Sequence, residues 1–194
     1  LHTWLRRQRQ MCIRDSHYRP PAMGVLFYAM NYSHYLPSGA ALHQWQEQFL
    51  DKFLASAEIN AEKPTEDRQA FLLNAFPAAG KTWAQMVAMK HLLETNVIDL
   101  AIVVVPSKKL KVDFGDEAQK AFGLMTHAKS TGLGAFSPEM YDCLVLTYGQ
   151  LAHGIGRLRE ICQNYRGRVS ADEMHHISAR LTWGSQCLYC FGES

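Results

Sequence analysis

Long apolar runs, an excess of charge of one sign and a paired cysteine framework are all missing from this sequence. Its longest apolar run, Leu100 to Pro106, has the length of a buried strand and falls far short of the roughly 20 residues that span a bilayer. With 20 Lys and Arg residues against 18 Asp and Glu, the net charge of +2 neither requires nor excludes a nucleic-acid partner. We therefore expect a soluble chain of 194 residues with one core and no membrane partner.

Cysteine is sparse and its number is odd. Five cysteines in a chain of this size favour reduced thiols and a cytoplasmic location. The one close pair, Cys187 and Cys190, has the spacing of a zinc or redox motif, but no second pair accompanies it. A metal or redox role for that pair is the less favoured interpretation.

The first 36 residues differ in character from the rest. They combine an arginine-rich start with a proline pair and an aromatic stretch, and they show no helix or strand period. Asp15 and the prolines interrupt any amphipathic helix, which disfavours a targeting peptide. We assign residues 1–36 to an N-terminal extension, either disordered or an artefact of cloning or reading frame, and residues 37–194 to the domain.

Strand and helix patterns alternate along that domain. An apolar helical face runs from Leu42 to Leu54, and the patterns then predict strands at 70–76, 99–105, 142–147 and 168–171, with helices at 81–95, 107–122 and 155–165. Such alternation requires crossover connections, and these produce a mainly parallel sheet covered on both faces. We predict an α/β fold with three layers.

The strongest chemical signal lies between the first of these strands and its helix. A strand followed by Gly-Lys-Thr at a helix start directs backbone N–H groups toward a phosphate. We predict that the loop binds ATP, with Lys81 at the β- and γ-phosphates and the Thr82 hydroxyl on Mg²⁺. Ala75 stands where the usual motif has its first Gly, and an ordinary exposed helix start is the alternative. The loop consists of Phe76, Pro77, Ala78, Ala79, Gly80, Lys81 and Thr82.

A second signal is the acidic pair Asp172 and Glu173, which follows the short strand containing Val169. ATP hydrolysis needs one carboxylate to hold Mg²⁺ and another to polarise the attacking water. We assign Asp172 to the metal and Glu173 to the water, with Lys81 as the third catalytic residue. Alone, such a pair also occurs by chance on solvated loops, and Arg168 and Ser170 make its strand unusually polar.

Four stretches together resemble one family. They are Leu42 to Gln46, Phe76 to Thr82, Val103 to Leu110 and Asp172 to His176. In order and spacing they are similar to the first RecA-like domain of superfamily 2 helicases, in the group with type III restriction subunits and DEAD/DEAH-type helicases. The resemblance implies a RecA-like P-loop NTPase fold, an ATP-dependent helicase or translocase function, and DNA rather than RNA as the track.

The resemblance also implies further site residues. Gln46 would touch the adenine edge, and His175 would couple the nucleotide site to the nucleic-acid site. Contacts to the nucleic-acid backbone would come from Pro106, Ser107, Lys108, Lys109 and Thr147. The chemistry of a hydroxyl and two ammonium groups at a helix start suits phosphate binding, although solvated surface charges remain the alternative for the two lysines.

The resemblance stops before the family's next motif, so we expect a domain whose second RecA-like partner is missing and which unwinds little by itself. Two other interpretations stay open. One is a non-helicase P-loop NTPase such as a small kinase, with the glycine-rich segment 130–134 as a substrate lid. The other is a truncated, inactive fragment.

Overall fold

The computed structural model describes residues 30–61, 71, 73, 75–76, 78–129, 132–134 and 136–172. In these ranges the helices are α1 (Gln44–Ala61), α2 (Lys81–Glu94), α3 (Lys108–Phe122) and α4 (Tyr148–Asn164). The strands are β1 (Leu100–Val105), β2 (Thr126–His127), β3 (Cys143–Thr147) and β4 (Gly167–Ala171). Short 3-10 turns occur at Ser33–Tyr35 and Pro138–Met140.

The four strands form one sheet in the order β2-β3-β1-β4, and every pairing is parallel. Val104 of β1 pairs with Leu146 on one side and with Ala171 on the other, so the carboxyl ends of three strands lie level. This arrangement confirms the predicted α/β fold with a mainly parallel sheet. It also brings the segments that follow β1, β3 and β4 to one edge, where open parallel sheets bind their ligands.

Both faces of β1 are buried, which explains its continuous apolar sequence. Ala101, Val103 and Val105 pack in one cluster with residues of α1, α2 and α3, whereas Ile102 and Val104 pack in a second cluster with residues of α4. Helices therefore cover the sheet on its two sides. The result is the three-layer arrangement that the alternating pattern predicts.

The strand predicted at 70–76 is not found in the part of that segment that the structure describes. Phe71, Leu73, Ala75 and Phe76 carry no strand assignment, and 70, 72 and 74 lie outside the described residues. The apolar character of the segment is explained by side-chain packing instead. The ring of Phe71 meets those of Phe49 and Phe53 edge-on, at 5.7 and 5.5 Å between centroids.

Residues just before the proposed domain boundary pack onto the domain. Tyr32 and Tyr35 are buried in the cluster formed with α1 and α2. The Tyr32 hydroxyl donates to Asp51 at 2.7 Å, and the Tyr35 hydroxyl lies 2.8 Å from Nδ1 of His91. Where the domain begins remains a prediction. Among the described residues, no helix has the length and apolar character to cross a membrane.

The buried His91 predicts a pH dependence of stability. Burial lowers the pKa of His91 from its ordinary value of 6.5, so below that pH the unfolded chain binds more protons than the folded one. The contribution that neutral His91 makes to stability is therefore fully present above pH 6.5 and is lost as the pH falls toward the lower pKa of the folded state. We expect the thermal midpoint to fall more steeply between about pH 7 and about pH 5.5 in the parent than in His91→Gln. Parallel curves for the two proteins would contradict this role.

Candidate functional site

The loop before α2 has an unusual backbone. Gly80, the residue at the N-cap of α2, has φ of 85°, and Ala78 has φ of 59°. Left-handed backbone costs a non-glycine residue about 1 kcal/mol, and such conformations concentrate at ligand sites. The Ala79 N–H donates to the Phe76 carbonyl at 3.2 Å and closes a turn. Phe76, the first residue of the loop, is half exposed.

The side chain of Gln46 is hydrogen-bonded to the backbone of this loop. Its side chain is 3% exposed, donates from Nε2 to the Gly80 carbonyl at 2.8 Å, and accepts at Oε1 from the His43 N–H at 2.7 Å. A Cβ on residue 80 would lie 2.8 Å from Nε2 of Gln46 and would force that amide to shift, and φ of 85° also favours glycine at this position. Gln46 thus holds the loop in its strained conformation. Its predicted contact with adenine stays a prediction.

A cavity of about 320 Å³ opens at the start of α2, within the range of small-molecule sites. It brings Lys81 and Thr82 together with Asp172, which arrives from the far end of the described chain. Both motifs found in the sequence therefore contribute to one site. The lining residues are Ala78, Gly80, Lys81, Thr82, Trp83, Glu117 and Asp172.

Asp172 is held by its backbone at the end of β4. Its N–H donates to the Val104 carbonyl at 2.9 Å, and its own carbonyl accepts from the Tyr148 hydroxyl at 2.6 Å. These two bonds fix the point at which the chain leaves the sheet. Asp172 and Thr82 line the same cavity.

The polar residues of β4 have partners on the helices. Gln85 of α2 donates to the Ser170 hydroxyl at 2.8 Å, and the Arg168 guanidinium lies 4.3 Å from the centroid of the Phe53 ring. Burial lowers the pKa of Arg168. The bond from Gln85 to Ser170 joins the helix that begins at Lys81 to the strand that precedes Asp172.

Two lining residues were not predicted from the sequence. Trp83 is the third residue of α2, and its indole Nε1 donates to Oε1 of Glu117 at 2.6 Å. Trp83 follows the Gly-Lys-Thr signal directly, which places it near any bound phosphate. Glu117 lies within α3, outside every motif, and no sequence signal marks it.

The predicted nucleic-acid residues lie at the carboxyl ends of β1 and β3, which are neighbours in the sheet. Ser107 caps α3, since its hydroxyl oxygen accepts from the Leu110 N–H at 3.2 Å, and Lys108 and Lys109 after it are exposed. Thr147 caps α4 through a capping box with Gln150 and is largely buried. Two helix N-termini therefore open onto one edge, a geometry suited to phosphate binding.

Lys111 joins these two helices beneath the surface. Its ammonium group donates to Oε1 of Gln150 at 3.1 Å, and burial lowers its pKa. The same Gln150 oxygen accepts from the Thr147 N–H at 3.0 Å. This network fixes the start of α3 relative to the start of α4.

Three predicted site residues, Pro77, Glu173 and His175, lie outside the described residues. In the described part of the chain, no group of three His, Cys, Asp or Glu side chains forms a metal site. The cavity nevertheless offers a Thr82 hydroxyl and an Asp172 carboxylate. Oxygen donors of this kind, few in number, fit Mg²⁺, which retains several water ligands.

Comparison with known proteins decides the family. The model of the family described as "Type III restriction enzyme, res subunit" matches residues 40–191, well over half of the chain. The chain belongs to this family. As a type III res subunit domain, it has the RecA-like fold of superfamily 2 proteins. The match begins three residues after the boundary proposed at residue 37.

Two curated relatives and one solved structure are also similar to the chain. The res subunit domain is 29% identical over 153 residues to an uncharacterized protein of Mycobacterium leprae, covering 79% of this chain and 24% of the relative. An uncharacterized protein of Mycobacterium tuberculosis gives the same values. The chain thus spans about a quarter of these relatives. The Sulfolobus solfataricus SWI2/SNF2 ATPase core in complex with dsDNA shares the fold, with a TM-score of 0.63 and 18% identity over 76% of this chain and 29% of that one.

Proposed function

We propose that this domain binds ATP with Mg²⁺ and, as part of a longer protein, uses ATP hydrolysis to move along DNA. The observation that carries the proposal is the cavity in which Lys81, Thr82 and Asp172 meet. A lysine, a hydroxyl and a carboxylate at a helix N-terminus are the groups that a Mg²⁺-bound triphosphate requires. An ordinary exposed helix start would not assemble them.

Each residue has a distinct role in this proposal. The loop from Phe76 to Thr82 cradles the phosphates with its N–H groups, and the Lys81 ammonium neutralises the β- and γ-oxygens. Thr82 and Asp172 hold Mg²⁺, which supplies charge neutralisation when bound. Glu173 orients the water that attacks the γ-phosphorus, while Gln46 keeps the loop in place and contacts the adenine. His175 couples this site to the nucleic acid.

A second RecA-like domain completes the enzyme in this proposal. ATP hydrolysis in such machines occurs between two domains, because the groups that stabilise the transferring phosphoryl come from the facing one. Domain closure on ATP and reopening after hydrolysis then move the motor along its strand. We expect it to work in the cytoplasm, where ATP and DNA are both available.

Binding of a fluorescent ATP analogue to the purified chain tests the nucleotide site. We expect saturable binding in Mg²⁺ that ATP displaces and AMP does not, because the contacts go to the β- and γ-phosphates. Displacement by AMP and ATP at equal concentrations would show that phosphate recognition is absent. No binding by a chain that unfolds cooperatively on heating would reject the proposal.

The nucleic-acid edge predicts a salt-dependent affinity for DNA. Removing two phosphate contacts with the double variant Lys108→Ala, Lys109→Ala should weaken duplex binding by about tenfold or more at 0.1 M salt, and should reduce the slope of log K against log salt by about 1.8. Lys120→Ala, at the exposed far end of α3, is the matched control. An unchanged slope in the double variant would exclude these lysines from the phosphate contacts.

A further inference from the structure

Glu117 lines the proposed nucleotide cavity although it belongs to no sequence motif. It lies in the middle of α3 and lines the same space as Lys81, Thr82 and Asp172. Its Oε1 accepts the Trp83 indole N–H at 2.6 Å. Hydrogen bonds to an ionised acceptor are shorter and stronger than neutral ones, so this carboxylate is held in position.

Trp83 makes a firm anchor for that carboxylate. It belongs to the first turn of α2, directly after Thr82, and its ring meets the Phe122 ring edge-on at 5.4 Å between centroids. Phe122 is buried at the end of α3. The indole therefore packs between α2 and α3. The Glu117 side chain cannot rotate out of the cavity without breaking its hydrogen bond to Trp83.

The charges around the cavity have a consequence for its ligand. Among the described residues that line it, Lys81 is positive whereas Glu117 and Asp172 are negative, which leaves one net negative charge facing a polyphosphate. Like charges repel strongly at close range inside a protein. A divalent cation between the carboxylates and the phosphates reverses the sign of that interaction.

We propose that Glu117, anchored by Trp83, is a specificity-determining residue that makes nucleotide binding depend on Mg²⁺. Its carboxylate accepts hydrogen bonds from water ligands that the cation retains, and it repels nucleotide that lacks the cation. Thr82 and Asp172 hold the metal directly, and Glu117 adds an outer carboxylate on the side of α3. The inference rests on the proposed nucleotide site and adds to it a residue from a different helix.

The test compares the affinity for a fluorescent ATP analogue in Mg²⁺ and in EDTA. For the parent chain we expect tighter binding in Mg²⁺. Glu117→Gln keeps the shape and an acceptor oxygen for Trp83 but removes the charge, so it should bind the analogue in EDTA about tenfold more tightly than the parent does. It should also need a higher Mg²⁺ concentration for half-maximal binding. The Mg²⁺-to-EDTA affinity ratio should thus fall.

Two further variants separate this role from general effects. Trp83→Phe keeps the ring against Phe122 but removes the N–H donor, and it should lower the same ratio by a smaller factor. Asp113→Asn removes a negative charge from an exposed position one turn away on α3, and it should leave the ratio within about twofold of the parent because exposed charges are screened.

The outcomes are distinct. No binding by the parent in either condition would reject the nucleotide site itself. Binding by the parent with an unchanged ratio in Glu117→Gln would overturn the role of Glu117 and leave the nucleotide site standing. An equal fall of the ratio in Asp113→Asn would also overturn it, because the effect would then come from the net charge of the helix.

Discussion

Lys81→Ala is expected to weaken binding of an ATP analogue by about a hundredfold or more, to the limit of detection. The ammonium group lies at the first residue of α2, in the cavity that also contains Thr82 and Asp172. A charge-assisted hydrogen bond to a ligand contributes about 1.5–3 kcal/mol, and about 1.4 kcal/mol corresponds to tenfold in affinity. Titration of the fluorescent analogue in Mg²⁺ measures the loss.

The control for this variant is Lys120→Ala. It removes the same charge from a side chain that is 78% exposed and that is not among the residues lining the cavity, and its affinity should match the parent's. Both variants should also keep the parent's thermal midpoint, because neither side chain is part of the core. If Lys81→Ala bound the analogue like the parent, the assignment of the phosphate loop would be wrong.

The alternating apolar pattern predicted most of the fold, because long buried segments carry their own signal. β1 is an uninterrupted apolar run, and α2 and α3 begin and end within two residues of the predicted positions. β2 was missed because two residues, Thr126 and His127, have no period to detect. The helix predicted at 155–165 begins at Tyr148 instead. Thr147, the last residue of the predicted strand, forms with Gln150 the capping box that starts this helix.

The remaining features of the fold and the site depend on contacts between segments that are distant in the sequence, so local patterns could not predict them. Arg168 and Ser170 weakened the prediction of β4, and only the folded chain supplies Phe53 and Gln85 as their partners. Glu117 joins the cavity through a bond to Trp83 that spans 34 positions in the chain, and no local pattern encodes such a pairing. A contiguous motif such as Gly80 to Thr82 is visible in the sequence because its residues are neighbours in the chain.

Gln46 has a structural role that the sequence did not predict. The family resemblance assigned it to the adenine, whereas the structure shows both polar ends of its side chain bonded, to Gly80 and to His43. The strained loop conformation requires such support, because neither Ala78 nor Gly80 has ordinary helical or extended backbone. The hydrogen bond from Gln46 to the Gly80 carbonyl therefore joins the loop to α1.

Glu173→Gln is expected to leave nucleotide affinity within about twofold of the parent and to lower the rate of ATP hydrolysis by about a thousandfold. The measurement needs the longer protein with both RecA-like domains and DNA present. Glu173 lies outside the described residues, but the residue before it is fixed: the Asp172 N–H is bonded to Val104 and its carbonyl to Tyr148.

The amide of Gln retains the size of the carboxylate but cannot polarise the attacking water as an anion does, so binding and chemistry separate in this variant. Glu160→Gln, which changes an exposed residue of α4 that pairs with Arg157, should hydrolyse ATP at the parent's rate. A hydrolysis rate within tenfold of the parent's in Glu173→Gln would move the water-activating role to another carboxylate. Glu117 would then be the first to test, because it faces the same cavity from α3.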